Sequence, residues 1–301
     1  MRKLIRCESV TLAFFAFVTA GSPAHAQSDW AAADRALGRP GADLPGGVHK
    51  YGFPRGDLEV SIAGTRLRPA LALGTWIAFK RTSDGKAMAM GDLVLTEAEV
   101  APVMAALQRG GVEQTAVHNH LLGETPRVVY MHVMAKGDEA KIATALHDAL
   151  AATHTPMAPP PAVTSLRLAL DTTAVAAALG VAGKGTGGVY QVSVPRPEPI
   201  RDGGEVIPPS MGVATGINIQ PTTGARAVAT GDFVLLPSEV NPVIRALEGN
   251  GIKVTALHSH LLMDQPHVLF MHFWGDDDAV KLARGLRAAL DATAMAPKAS
   301  R

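Results

Sequence analysis

Gly91-Asp92-Leu93-Val94-Leu95 returns 140 residues later as Gly231-Asp232-Phe233-Val234-Leu235, and the match then runs without a gap to Leu150 and Leu290. Of these 60 aligned positions 27 are identical, so the second half of the chain is a copy of the first. Upstream the correspondence continues with small shifts. Gly47-Val48 and Pro54-Arg55 answer to Gly188-Val189 and Pro195-Arg196, and Ala36-Leu37-Gly38 to Ala178-Leu179-Gly180. The unit duplicated is therefore a whole domain, too long for a solenoid repeat, and two copies suggest a pseudo-symmetric intramolecular dimer. Between them, 154–161 is proline-rich and favours an extended connection. The expected organisation is a signal peptide at 1–26, repeat domains at 27–155 and 167–293, a Pro-rich linker at 156–166 and a tail at 294–301.

Within each copy the pattern predicts α+β architecture: a mostly antiparallel sheet with flanking helices and a second half running strand, helix, hairpin, helix. Residues 91–95 read as a short apolar strand. Thr96 and Glu99 have capping-box spacing ahead of Val100, Val103, Met104 and Leu107, which recur at helical intervals. Pro102 fits best in a first turn, which would move the start of the continuous helix toward Ala101, and Gly110-Gly111 closes it. Segments 113–122 and 127–134 then form a hairpin around Gly123-Glu124-Thr125-Pro126, and a last helix covers 138–151. Residues 58–62 and 71–79 are β-like.

Composition narrows the function. A chain of 301 residues with 47% hydrophobic and 18% charged residues folds around apolar cores and is no disordered polyelectrolyte. Its 28 basic and 27 acidic residues argue against nucleic acid or an anionic bilayer as the main partner. Arg2, Lys3 and Arg6, the apolar run 10–20 and Ala24-His25-Ala26 have the shape of a cleaved secretory signal, implying a periplasmic or secreted protein with no membrane span in the mature chain. The one cysteine, Cys7, precedes the apolar run, so neither lipidation nor thiol chemistry is expected of the mature chain.

Six of the eleven histidines fall at three repeated positions: His118, His120 and His132, then His258, His260 and His272. Residues i and i+2 of a strand share a face, which makes His118 and His120 neighbours. If Leu122 pairs with Val128, His118 lies opposite His132 and three imidazoles converge in each copy. Three ring nitrogens on a rigid sheet suit a divalent transition metal such as zinc, with water or a carboxylate completing the shell. Glu124 and Asp264, at one place in the hairpin loop, and Glu99 and Glu239, at the helix start, are candidate carboxylates; Glu124 and Asp264 are also candidate bases for metal-assisted hydrolysis. Asp92 and Asp232, each after glycine, read instead as turn or backbone-capping residues. The competing readings are a non-enzymatic module binding a small molecule or metal ion, and a structural envelope protein whose histidines only stabilise the sheet.

Other chemistry is weaker. Ser259 and Ser238 lack a Gly-x-Ser-x-Gly context, and copy one has Asn119 and Ala98 there. Residues 183–188 are glycine-rich but lead into β-like sequence and read as a turn. Trp76, Trp274, Tyr130 and Phe270 belong to the core, with Tyr130 and Trp274 sharing strand parity with His132 and His272 and so placed to wall a pocket.

The repeated signatures Gly-Asp-x-Val-Leu, x-Pro-Val-x-x-Ala-Leu, His-x-His-Leu-Leu and Met-His, at 91–95, 101–107, 118–122 and 131–132 and again in copy two, resemble the LppY/LpqO family of exported bacterial proteins of unknown function. The resemblance covers nearly all of the mature chain. It implies export and duplication, and supplies no catalytic roles for the histidines.

Overall fold

The computed structural model describes residues 29–158 and 168–295. The expected signal peptide lies outside them, as do parts of the linker and tail. The first repeat contains α1 (Ala31–Leu37), β1 (Ala42–Leu44), β2 (Val48–Pro54), β3 (Ser61–Ile62), β4 (Thr65–Arg66), α2 (Pro69–Ala72), β5 (Gly74–Arg81), β6 (Ala87–Thr96), α3 (Glu97–Arg109), β7 (Glu113–His118), β8 (Glu124–Thr125), β9 (Val128–Gly137) and α4 (Glu139–Ala151). The second contains α5 (Thr172–Leu179), β10 (Lys184–Thr186), β11 (Val189–Pro195), β12 (Arg201–Asp202), β13 (Glu205–Val206), a 3₁₀ turn at Pro209–Met211, β14 (Ala214–Pro221), β15 (Arg226–Leu235), α6 (Val240–Gly249), β16 (Lys253–His258), β17 (Asp264–Gln265), β18 (Leu269–Asp278) and α7 (Ala279–Asp291). Each repeat is thus α+β, built on a six-stranded antiparallel sheet, in the order β1-β2-β5-β6-β9-β7 and β10-β11-β14-β15-β18-β16.

Strand parity divides each sheet into two apolar faces. On β6, Ala87, Ala89, Leu93 and Leu95 point outward and pack with Leu37, Val103, Leu107, Leu146 and Leu150 of α1, α3 and α4. Phe233, Leu235 and Phe273 do the same beneath α5, α6 and α7. The opposite faces meet each other. Met88, Met90 and Met134 of the first repeat join Val234, Val268 and Phe270 of the second in one buried cluster, and Val94 and Tyr130 join Val189 and Val228 in another. The molecule is a four-layer sandwich, helices outside and sheets back to back, which explains why β6 is buried at nine consecutive positions rather than alternating.

Polar side chains seal the seam. Lys80 Nζ donates to Val206 O at 2.8 Å and pairs with Glu205 at 3.2 Å; from the other side Gln220 Nε2 donates to Arg66 O and its Oε1 accepts from Arg68 N, each at 2.8 Å. Lys80 and Gln220 are equivalent residues in the two copies, so the clamps are related by the pseudo-twofold.

Several local readings change. The strand expected at 91–95 is ten residues long, Ala87–Thr96. The capping box forms as predicted, with Glu99 accepting from Thr96 N at 2.8 Å, but α3 starts at Glu97 and carries Pro102 inside it. Residues 69–72, partly expected as strand, are helical because Pro69 opens a turn. The glycine-rich segment 183–188 forms the edge strand β10 and a turn at Gly187 and Gly188, both at positive φ, before β11.

The glycine of the Gly-Asp signature is a packing requirement. A Cβ on Gly91 would sit 2.9 Å from Trp76 O, and one on Gly231 would run into the carbonyl of Gly216 on the neighbouring strand. Gly231→Ala should therefore cost about 1–3 kcal/mol by forcing adjacent strands apart, read as a lower urea midpoint with unchanged slope; an unchanged midpoint would contradict this close approach.

Candidate metal centre

Asp92 and His132 are direct cross-strand partners on β6 and β9, and Asp232 and His272 are the same pair on β15 and β18. All four are on the inner faces. The next strand adds His118, the last residue of β7, opposite Tyr130 rather than His132: the register here differs by two residues from the expected one, and a bulge between Gln114 and Ala116 shifts it by one more toward the start of the strand. A two-residue shift preserves the side-chain face, so His118 and His132 still converge. His120 follows just beyond the strand. The chain does not turn back in a tight hairpin: it first reaches out to pair β8 with β3, and β17 with β12 in the second repeat.

Because the inner faces oppose, the two triads expected as separate sites form one cluster. His118 and His258 face each other with ring centroids 3.6 Å apart, His120 stacks on His272 at 3.7 Å, and His132 stacks on His260 at 3.6 Å. Within the copies, the His118–His120 and His258–His260 separations are 4.9 and 4.8 Å, and His118–His132 and His258–His272 are 5.0 and 4.9 Å. The pseudo-twofold is kept to about 0.1 Å at its centre.

Aromatic rings close the flanks. Tyr130 stacks on His120 at 3.4 Å and donates its hydroxyl to Ala72 O, while Phe270 stacks on His260 at 3.5 Å. Trp274, expected as the second wall, packs instead with the apolar cluster around Val189 and Val228. Thr255 Oγ1 donates to His120 O at 2.6 Å, tying the segment after β7 to the other repeat.

The polar chemistry is concentrated here. Eleven buried side-chain nitrogen or oxygen atoms among the described residues have no hydrogen-bond partner, and ten belong to these eight residues: both nitrogens of His118 and His258, Nε2 of His120, His132, His260 and His272, and Oδ1 of Asp92 and Asp232. Buried polar atoms are normally satisfied, so such a concentration marks a place built for something other than packing. His272 Nδ1 bonds Gly231 O at 3.0 Å and His132 bonds the backbone of Gly91, which leaves Nε2 of each ring unpartnered.

Burial dictates the ionisation. Desolvation, reinforced by the neighbouring rings, pulls His118, His120, His132 and His260 well below the usual imidazole range, His272 to about 3, and burial alone takes His258 to about 4. Desolvation pushes Asp92 up to about 8, and pushes Asp232 well above the carboxylate range with help from Asp92. The metal-free centre is therefore neutral imidazole and carboxylic acid. Neutral rings carry the lone pair a metal needs, and a divalent cation would drive both carboxyl protons off.

Four groups of these atoms lie within 4.8 Å of one another: His118 with His132, His258 and His260; His118 with His120 and His272; Asp92 with His120 and His132; and Asp232 with His260 and His272. The carboxylates that reach the rings are thus Asp92 and Asp232, which the sequence reading placed in turns. Glu124 and Asp264 accept from Val128 N at 3.5 Å and Val268 N at 2.6 Å, closing their own loops. Glu99 and Glu239 form buried pairs with Arg55 and Arg196 at 2.8 and 2.6 Å; despite burial, Arg55 holds Glu99 down to about 2. None of these four belongs to a group that gathers the rings. The signal for Asp92 was its parity: even-numbered Met88, Met90 and Val94 share its face on β6.

Fold and site together define a duplicated α+β protein with a buried histidine–aspartate centre between its copies. The chain belongs to the family described as a Domain of Unknown Function (DUF1259), whose profile matches residues 31–152 and 173–292. No curated protein matches it. Among solved structures, the crystal structure of a trimeric bacterial microcompartment shell protein PduB aligns over 82% of this chain and 86% of that one at 14% identity, with a TM-score of 0.19, too low to carry an argument.

In the metal-free protein, ¹⁵N shifts of the six site imidazoles should remain those of neutral rings down to about pH 5, because desolvation opposes protonation. Since their pKa values are depressed on folding, the unfolded chain takes up protons first, and these rings withdraw stability as pH falls below about 6.5. Rings titrating near 6.5 would contradict the enclosed geometry.

Proposed function

We propose that the protein is an exported metalloprotein that holds a divalent transition metal such as zinc in the centre shared by its two repeats. The observation that carries this reading is the ring of ten unpartnered buried atoms on six neutral imidazoles and two carboxyl groups. Nitrogen and carboxylate donors at mutual separations below 4.8 Å match the ligand preference of zinc and its neighbours. A purely structural role for the histidines would favour hydrogen-bonded rings, and ten unmet atoms are costly without a ligand.

Export follows the expected signal at 1–26 and the LppY/LpqO resemblance. Among the described residues, no helix is long and apolar enough to cross a membrane. A bound metal would supply Lewis acidity and lower the pKa of a coordinated water. The chain supplies neutral donors and low-polarity walls from Tyr130 and Phe270. Hydrolysis with Glu124 or Asp264 as base draws little support, since both carboxylates are engaged by backbone N–H groups of their loops. Burial of His132, His260 and His272 to 4% exposure or less favours holding the metal over turning over a bulky substrate.

Protein purified without an affinity tag should retain transition metal by elemental analysis. Zinc added to chelator-treated protein should raise its melting temperature, by an amount corresponding to about 2.7 kcal/mol at a free concentration 100 times Kd. His132→Ala combined with His260→Ala should abolish the effect. A melting temperature indifferent to zinc in the unmodified protein would contradict the reading.

A further inference from the structure

Resting on the reading of the cluster as a metal centre, we propose that it takes two divalent transition-metal ions, one held by Asp92, His120 and His132 and the other by Asp232, His260 and His272. His118 and His258 sit between the two sets. The competing arrangement is a single ion in the four-histidine group of His118, His132, His258 and His260.

The carboxylates decide between them. Asp92 Oδ2 lies 3.6 Å from His120 Nε2 and its Oδ1 3.9 Å from His132 Nε2; Asp232 Oδ2 lies 3.6 Å from His260 Nε2 and its Oδ1 4.0 Å from His272 Nδ1. These gaps exceed hydrogen-bond reach. They approach the edge of a coordination tetrahedron, about 3.3 Å for bonds of 2.0–2.1 Å, so closure of about 0.3–0.7 Å suffices. Each aspartate thus stands between two imidazoles without bonding either; the halves differ in that Asp92 approaches Nε2 of His132, whereas the His272 atom nearest Asp232 is Nδ1, which already bonds Gly231 O, so His272 would coordinate through its unpartnered Nε2.

Occupation of the four-histidine group alone would leave both carboxyl groups buried at the seam, with Oδ1 of each still unmet. Two ions use both aspartates and four of the six rings. The remaining pair, His118 and His258, has both nitrogens of each ring unpartnered and meets across the pseudo-twofold with ring planes tilted by 31°, placed to complete or link the two shells. Each ion would have two imidazoles and one carboxylate, a donor set that leaves positions for water or for an oxygen of a small anionic ligand.

The test counts ions on the full chain. Tag-free protein is stripped with chelator and loaded with cobalt(II), the bound ions are counted by native mass spectrometry on the folded charge states, and the cobalt absorption bands report the ligand field. The unmodified protein should carry two ions, Asp92→Asn one, Asp232→Asn one, and the double variant at most weakly bound metal, with altered visible bands in each single variant. Asp92→Glu, which keeps the carboxylate, should retain two and guards against a folding defect in the Asn variant. One ion in the unmodified protein, indifferent to both Asn substitutions and lost in His118→Ala, would assign the four-histidine group and overturn the two-ion arrangement while leaving a metal centre. Two ions that survive both Asn substitutions would overturn the carboxylate assignment. No ion in the unmodified protein would instead sink the underlying reading.

Discussion

The face-to-face packing of two homologous sheets is the constraint from which the rest follows. A six-stranded sheet with helices on one side has a second face to cover, and here the same face of the other copy covers it, together with residues outside the two large sheets such as Leu71, Ile207 and Met211. Methionine, valine and phenylalanine supply the apolar part of that contact. At its centre the same packing brings together six imidazoles and two carboxyl groups, ten of whose buried atoms no hydrogen bond satisfies. Apolar burial around them offsets their desolvation, and the duplication sets His118 against His258, His120 against His272 and His132 against His260.

That arrangement gives the site its chemistry. A ring held neutral by its surroundings is a ready metal ligand, whereas an exposed histidine loses lone-pair availability as it protonates. A carboxyl group kept protonated by burial becomes a strong anionic ligand once a cation arrives. The supporting strands fix donor directions, and Tyr130 and Phe270 limit the movement of His120 and His260. The copies differ beside the site: Tyr130 has Phe270 as its counterpart, and Lys50, brought down to about 8 by burial and resting over Trp76, has Gln191.

Much of this was legible in the chain itself. The duplication, the antiparallel α+β unit, the capping box at Thr96 and the grouping of histidines on one face all follow from local spacing. The register of β7 against β9 did not, because a nine-residue excursion that pairs β8 with β3 replaces the tight loop that a hairpin reading assumes. Asp92 and Asp232 were misread because a glycine before an acid usually marks a turn. Here the glycine allows two strands to approach and places the acid in mid-strand, opposite His132 and His272. The convergence of both triads on one point was beyond local pattern altogether, since periodicity tells which face a residue occupies and not what that face meets.

The central claim is that donors from both repeats share one buried centre, and anomalous diffraction from zinc-soaked crystals tests it most directly. The account predicts peaks at the seam, about 2.0–2.2 Å from imidazole nitrogens and aspartate oxygens of residues 92, 120, 132, 232, 260 and 272. Peaks confined to surface histidines such as His147 or His154, or site rings turned away from one another, would contradict it.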